Sequence, residues 1–164
     1  MTERLRVVAN AEPVQTGVKN ASALAAGLRH AVADTYRLIF KTHAYHWNVE
    51  GPQFYVLHHL TDEQYNQMFP AADDLAERIR ALGELAPFSL AEVMRLSVIT
   101  DLVGLPTTQE MIEDLAKDHA VVAVGFHALF NLAVESNDPV TADLATRRLA
   151  FHEQAAWMLR STAK

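Results

Sequence analysis

The stretch FYVLHHLTDEQYNQMFPAADDLAERIRALG, residues 54–83, predicts one long amphipathic helix. Its apolar side chains recur mainly at three- and four-residue intervals, which places them on one face of a helix. Pro70 removes one backbone hydrogen bond and should bend the axis without ending the helix. Gly83 is suited to end it, because glycine readily takes the left-handed conformation found there. The apolar positions of this face are Leu57, Leu60, Tyr65, Met68, Leu75 and Ile79.

The regions on either side of this stretch also have helical patterns. Residues 21–49 carry apolar side chains at helical spacing, and Gly51-Pro52 separates them from the stretch above. After Gly83, a long connection reaches Pro106 and contains SLAEVMRLS, which predicts a short helix starting at Ser89 or Leu90.

Two capping patterns mark the last two long helices. Thr107 and Glu110 have the spacing of a capping box, so a helix should begin there and extend to about residue 135. Asp138-Pro139 supplies an N-cap and a first-turn proline for a final helix that ends near residue 162. Four long helices with almost no strand pattern predict an all-α four-helix bundle, with a short helix in the long connection between the second and third.

The composition limits the functions that remain. A chain of 164 residues, half of them hydrophobic, fits one domain at residues 20–164, preceded by an extended or mobile tail at residues 1–19. Without cysteine, a metal would need imidazole and carboxylate ligands.

The N-terminus lacks a signal-peptide pattern and no apolar run reaches the ~20 residues of a membrane span, so we expect a cytoplasmic protein without membrane contact. A formal charge of −6 argues against an overall DNA-binding surface.

The second helix carries four side chains that can bind metal along one stripe. At about 100° per residue, His58, Asp62, Asp73 and Glu77 fall within about 100° of each other. The helical rise separates Asp62 from Asp73 by roughly 16 Å, which no single metal site spans. The stripe therefore consists of two half-sites, His58/Asp62 and Asp73/Glu77, each with its ligands four residues apart.

A two-fold contact between two copies of this helix would complete both half-sites. Positions 58 and 77, like positions 62 and 73, lie equally far from a point between residues 67 and 68. An antiparallel pairing about that point would set His58 against Glu77 of the second copy, and Asp62 against its Asp73. Burying these carboxylates without a cation would be costly, so the pattern predicts a metal shared between chains. Histidine and carboxylate ligands suit iron, manganese or zinc.

A di-iron site inside the bundle would require Glu-x-x-His on two helices, and this spacing is absent from the sequence. The run HWNVEGPQF at residues 46–54, His58, Asp62, and DDLAERIRALG at residues 73–83 instead resemble the signature of the Dps family, the DNA-binding proteins from starved cells. The segment HEQAAWMLR from His152 is similar to C-terminal helices of that family.

The resemblance implies a ferritin-like fold and a hollow dodecamer that oxidises Fe(II), preferentially with hydrogen peroxide, and stores ferric mineral. It assigns the iron ligands and catalytic site to His46, His58 and Asp62 of one subunit with Asp73 and Glu77 of its two-fold mate. It also places Trp47 beside the metal, where an indole could intercept one-electron oxidants; core or interface packing would equally explain this tryptophan.

The sequence leaves two interpretations open for several other positions. His43 lies one turn before His46 and either joins the site or faces solvent. In the family, the turn into the last helix lines three-fold pores, so Glu135, Asp138 and Asp143 are pore candidates, although capping alone would explain Asp138. Isolated histidines are ordinarily surface or core residues.

Two other functions compete with iron oxidation. The tail has only a thin excess of positive charge, so we expect DNA binding to be weak or absent. The main alternative is nonetheless a nucleoid-associated protein that compacts DNA, with metal binding secondary. A third reading is a purely structural helical assembly.

Overall fold

A computed structural model describes residues 13–163, and all regular structure in that range is helical. None of its helices has the length and apolar character to cross a membrane. The all-α prediction, including the short helix in the long connection, is confirmed. The helices are α1 (Ala21–Asn48), α2 (Phe54–Ala81), α3 (Leu90–Leu96), α4 (Thr108–Glu135) and α5 (Pro139–Thr162).

The helix ends follow the local sequence signals. The Thr107 side chain accepts a hydrogen bond from the Glu110 amide while the Glu110 carboxylate accepts one from the Thr107 amide, which completes the predicted capping box. At the end of α2, Gly83 has φ 89° and the Glu84 amide donates to the Ile79 carbonyl, the pattern of a Schellman motif. The helix continues through Pro70, as predicted.

The bundle consists of two helix pairs, because α1 packs along α2 and α4 along α5. Contacts between α1 and α4 join the pairs, and α3 lies against α1. Residues 13–19 are not helical, and the Val14 and Lys19 amides donate to the Ala81 and Ser136 carbonyls. Most of the predicted tail, residues 1–12, lies outside the described residues.

A buried ionic cluster fastens α1 to α4. The Lys41 ammonium donates to Asp114 at 2.8 Å and to Asp118 at 2.5 Å, and the Tyr45 hydroxyl donates to Asp114 at 2.7 Å. Burial raises the pKa of Asp118, while the nearby ammonium opposes that shift. One lysine of the chain thus offsets part of the negative charge of these two interior carboxylates.

Two histidines meet in the core between α4 and α5. The Nδ1 atoms of His119 and His152 are 2.9 Å apart, both side chains are fully buried, and Phe126 stacks on His152. Burial lowers the pKa of His119 to about 3 and that of His152 well below its usual value, with Arg148 adding to both shifts. Both imidazoles are therefore neutral at neutral pH, as hydrogen-bonded core histidines.

This pair should make the fold sensitive to acid. The unfolded chain protonates its histidines near pH ~6.5, whereas the folded chain resists protonation until far lower pH. The free energy of unfolding is therefore highest above pH ~6.5 and decreases as the pH falls. At pH 5 the decrease from His119 alone is about 2 kcal/mol. Urea unfolding at pH 7.5 and pH 5, at one protein concentration, should show a smaller loss for His119→Leu/His152→Leu than for the unaltered chain. The matched change at exposed His127 should leave the loss unaltered, and an equal loss in the double variant would contradict the assignment.

Candidate metal half-site

His46 of α1 and His58 of α2 form an interlocked pair between the two helices. Each Nδ1 lies near the backbone carbonyl of the other residue, at 2.9 Å for His46 and 3.0 Å for His58. A carbonyl can only accept, so both imidazoles carry the proton on Nδ1 when neutral and leave the Nε2 lone pair free. The rings are stacked with centroids 3.8 Å apart. Metal-binding histidines commonly take this form, in which the Nδ1–H donates to a protein acceptor and Nε2 binds the metal.

Thr61 supports this arrangement from within α2. Its hydroxyl donates to the Leu57 carbonyl at 2.7 Å, so its oxygen can accept from His46 Nδ1 at 3.2 Å. The His46 N–H is thus shared between two acceptors on α2. Because Thr61 is fully buried, this contact is shielded from competing water.

Asp62 lies one turn beyond His58 on α2 and is partly buried. The Tyr65 hydroxyl donates a hydrogen bond to Asp62 Oδ1, and the same contact raises the pKa of Tyr65. The Tyr65 ring meets His46 edge-on, with centroids 5.4 Å apart. The structure therefore places His46 against His58 and links Asp62 to His46 through the Tyr65 side chain, but it does not group the three predicted ligands as a metal site.

Trp47 and His43 form an aromatic stack next to this half-site. Their rings are 5.0 Å apart and nearly parallel, and His43 also lies 3.9 Å from the Tyr65 ring. Partial burial and the neighbouring His46 lower the pKa of His43, with Asp62 acting in the opposite direction. Of the two readings of His43, the structure favours a position beside the site. Trp47 remains 62% exposed, so core packing does not account for it.

Asp73 and Glu77 lie apart from these residues, on an exposed part of α2. The continuous helix keeps Asp73 about 16 Å from Asp62. Among residues 13–163, no three histidine, aspartate or glutamate side chains of one chain are grouped so that they could hold a metal ion. The two half-sites predicted from the spacing are thus separate within one chain, and their pairing stays a prediction.

The three pore candidates differ in their surroundings. Asp138 is only 1% exposed, caps α5 through the Thr141 amide, and receives a hydrogen bond from Arg78 at 2.7 Å. Although burial opposes it, these hydrogen bonds lower the pKa of Asp138. Of the two readings of Asp138, the structure favours capping, because its oxygens accept hydrogen bonds from Thr141 and Arg78 inside the bundle. Glu135 and Asp143 are exposed and remain candidates.

The sequence reasoning missed Tyr65 and Thr61 as parts of this site. Tyr65 was counted only as an apolar position of the helix, although it lies three residues after Asp62, where side chains on a helix meet. The role of Thr61 had no comparable signal, because its contact with His46 depends on how α1 packs on α2.

Comparison with known proteins agrees with this architecture. A ferritin-like domain model matches residues 25–164. The chain is 34% identical to DNA protection during starvation protein 2 of Bacillus anthracis, over 82% of this chain and 92% of that protein. It is 37% identical to antigen TpF1 of Treponema pallidum, over 90% of this chain and 86% of that protein.

Solved structures extend the likeness to three dimensions. The crystal structure of TpF1 from Treponema pallidum superimposes with a TM-score of 0.85 at 34% identity, covering 94% of this chain and 99% of that one. A Dps protein from Bacillus brevis gives 0.84 at 29% identity, covering 88% and 97%. The fold and the domain match thus define a ferritin-like protein. Within that class, the chain belongs to the Dps family, as the sequence resemblance predicted.

Binding of Co(II) at this half-site should quench Trp47 more than the other tryptophan. Trp47 directly follows His46 in the chain and stacks on His43. In Trp157→Phe, where Trp47 is the remaining indole, Co(II) titration should reduce the emission by a larger fraction than in Trp47→Phe. Replacing His58 with alanine in the Trp157→Phe chain should abolish that excess. Equal quenching in the two single variants would contradict the proximity.

Proposed function

We propose that this protein is a ferroxidase and iron store that binds Fe(II) between two-fold related subunits and oxidises it with hydrogen peroxide. The observation that carries the proposal is the His46/His58 pair, whose Nδ1 protons are committed to backbone carbonyls. Two free Nε2 atoms, with the Asp62 carboxylate one turn beyond His58 on α2, offer nitrogen and oxygen donors of the kind that suits Fe(II).

A second subunit would supply the remaining ligands. Two α2 helices packed antiparallel about the point between residues 67 and 68 would bring Asp73 and Glu77 of each chain to His58 and Asp62 of the other. Exposed apolar side chains near the centre of α2 and on α1, among them Phe69 and Phe40, give such a contact hydrophobic surface to bury. A divalent cation would offset the cost of burying the carboxylates.

The chemistry follows from placing Fe(II) ions where peroxide can reach them. Two Fe(II) ions each give one electron to one hydrogen peroxide, which takes up two protons and becomes two molecules of water, so no hydroxyl radical is released. Trp47, exposed and stacked on His43, would be the side chain that intercepts stray one-electron oxidants. Ferric product would collect as mineral within a hollow shell, which we propose to be a dodecamer.

The cellular role that fits this chemistry is protection against peroxide and free iron in the cytoplasm. Twelve copies of a chain with formal charge −6 would repel the phosphate backbone of DNA. We therefore propose that DNA binding is weak or absent and that compaction of the nucleoid is not the main activity.

Anaerobic titration with Fe(II), followed by addition of peroxide, tests the proposed function. The unaltered chain should bind Fe(II) saturably and then show fast ferric absorbance, with about two Fe(II) oxidised per peroxide. His46→Ala/His58→Ala should lower the rate of the fast phase at least about tenfold, because the nitrogen ligands are lost. His127→Ala, at an exposed position on α4, is the matched control and should behave as the unaltered chain. A flat titration of the unaltered chain would disprove the proposal.

A further inference from the structure

Tyr65 contacts both sides of the metal half-site. Its hydroxyl donates to Asp62 Oδ1 on α2, and its ring packs against His43 and His46 on α1, at centroid distances of 3.9 Å and 5.4 Å. Asp62 and Tyr65 are three residues apart on one helix, so the hydrogen bond needs no movement of the backbone. No other described side chain contacts both His46 and the Asp62 carboxylate in this way.

The hydrogen bond makes the two oxygens of Asp62 unequal. Oδ1 is engaged by the Tyr65 hydroxyl, whereas Oδ2 has no hydrogen-bond partner within residues 13–163. A carboxylate can bind a cation through one or both oxygens, and a donor on one oxygen favours binding through the other. One-oxygen binding leaves one more coordination position open on the ion, where an oxidant could bind.

The ring contributes a separate constraint. The His46 ring meets Tyr65 at 84°, the edge-to-face arrangement that aromatic rings favour. His43 and His46 of α1 both pack on Tyr65 of α2, so α1 cannot shift along α2 here without disturbing these three rings. The spacing between the imidazole of His46 and the carboxylate of Asp62 is thereby set through Tyr65.

We propose that Tyr65 is a positioning residue of the iron site: its hydroxyl holds Asp62 in one-oxygen coordination, and its ring sets the spacing between Asp62 and His46. The inference rests on the proposed function, since it concerns how that site binds its metal. It predicts that the hydroxyl and the ring have separable effects.

Anaerobic titration with Co(II), followed by its visible absorption, separates these effects without requiring turnover. Tyr65→Phe keeps the ring and should preserve the oligomer and the number of bound ions. It should weaken binding about tenfold, the size expected for loss of a hydrogen bond to a ligand. Its Co(II) bands should also weaken in intensity, because Asp62 becomes free to bind with both oxygens and the coordination number rises. Tyr65→Leu, which also removes the ring, should weaken binding further.

Tyr55→Phe is the matched control, since Tyr55 is 71% exposed on the same helix and its hydroxyl has no partner among the described residues. It should match the unaltered chain in affinity and spectrum. Unaltered affinity and bands in Tyr65→Phe would overturn the inference while leaving the proposed function intact. A flat titration of the unaltered chain, with Co(II) and with Fe(II), would overturn both.

A crystal structure of the unaltered protein with bound Co(II) would test the inference without any variant. It should show Asp62 bound through one oxygen, with the Tyr65 hydroxyl still on the other. Coordination through both oxygens, or a Tyr65 hydroxyl turned away from Asp62, would overturn the inference even if Tyr65→Phe failed to fold.

Discussion

The rise of an α-helix, 1.5 Å per residue, is the constraint on which the arrangement of this site depends. Because α2 continues unbroken from Phe54 to Ala81, Asp62 and Asp73 stay about 16 Å apart, and the chain cannot fold its own ligands together. A helix interrupted at Pro70 could have turned back on itself. On the proposed function, the intact helix instead presents two incomplete sets of ligands that a second copy of the same helix would complete. On this account, metal binding depends on the contact between two chains.

The contacts between α1 and α2 also determine which nitrogen of each candidate histidine ligand is free to bind a metal. The reciprocal hydrogen bonds of His46 and His58 join the two helices and fix the tautomer in which Nε2 is free. Inside the bundle, Lys41 pairs with both Asp114 and Asp118. These two interior carboxylates thus have a cationic partner within the chain, whereas Asp62, Asp73 and Glu77 have none among the described residues. Uncompensated carboxylates at a prospective interface favour a metal ion there.

Much of the fold could be predicted from the sequence because its signals are local. The capping box at Thr107, the Asp138-Pro139 start and the Gly83 end each depend on side chains within a few residues, and the structure has all three helix ends. The site was harder to predict. The ligand positions follow from spacing along α2, but the Tyr65 and Thr61 contacts depend on how α1 packs on α2. The sequence offered both a pore and a capping interpretation for Asp138, because its partner Arg78 is distant in sequence and meets it only in the folded bundle.

The central claim is that each iron site is shared between two chains, and complementation of two inactive variants tests it most directly. One variant carries His58→Ala/Asp62→Asn, and the other carries Asp73→Asn/Glu77→Gln. In a mixed dimer, one of the two sites would contain only unaltered ligands. Random co-assembly of the two chains should therefore restore about a quarter of the normal Fe(II) sites and fast peroxide-dependent oxidation, although neither variant alone shows them. A co-assembled protein as inactive as its parents, or full activity in either parent, would contradict the account.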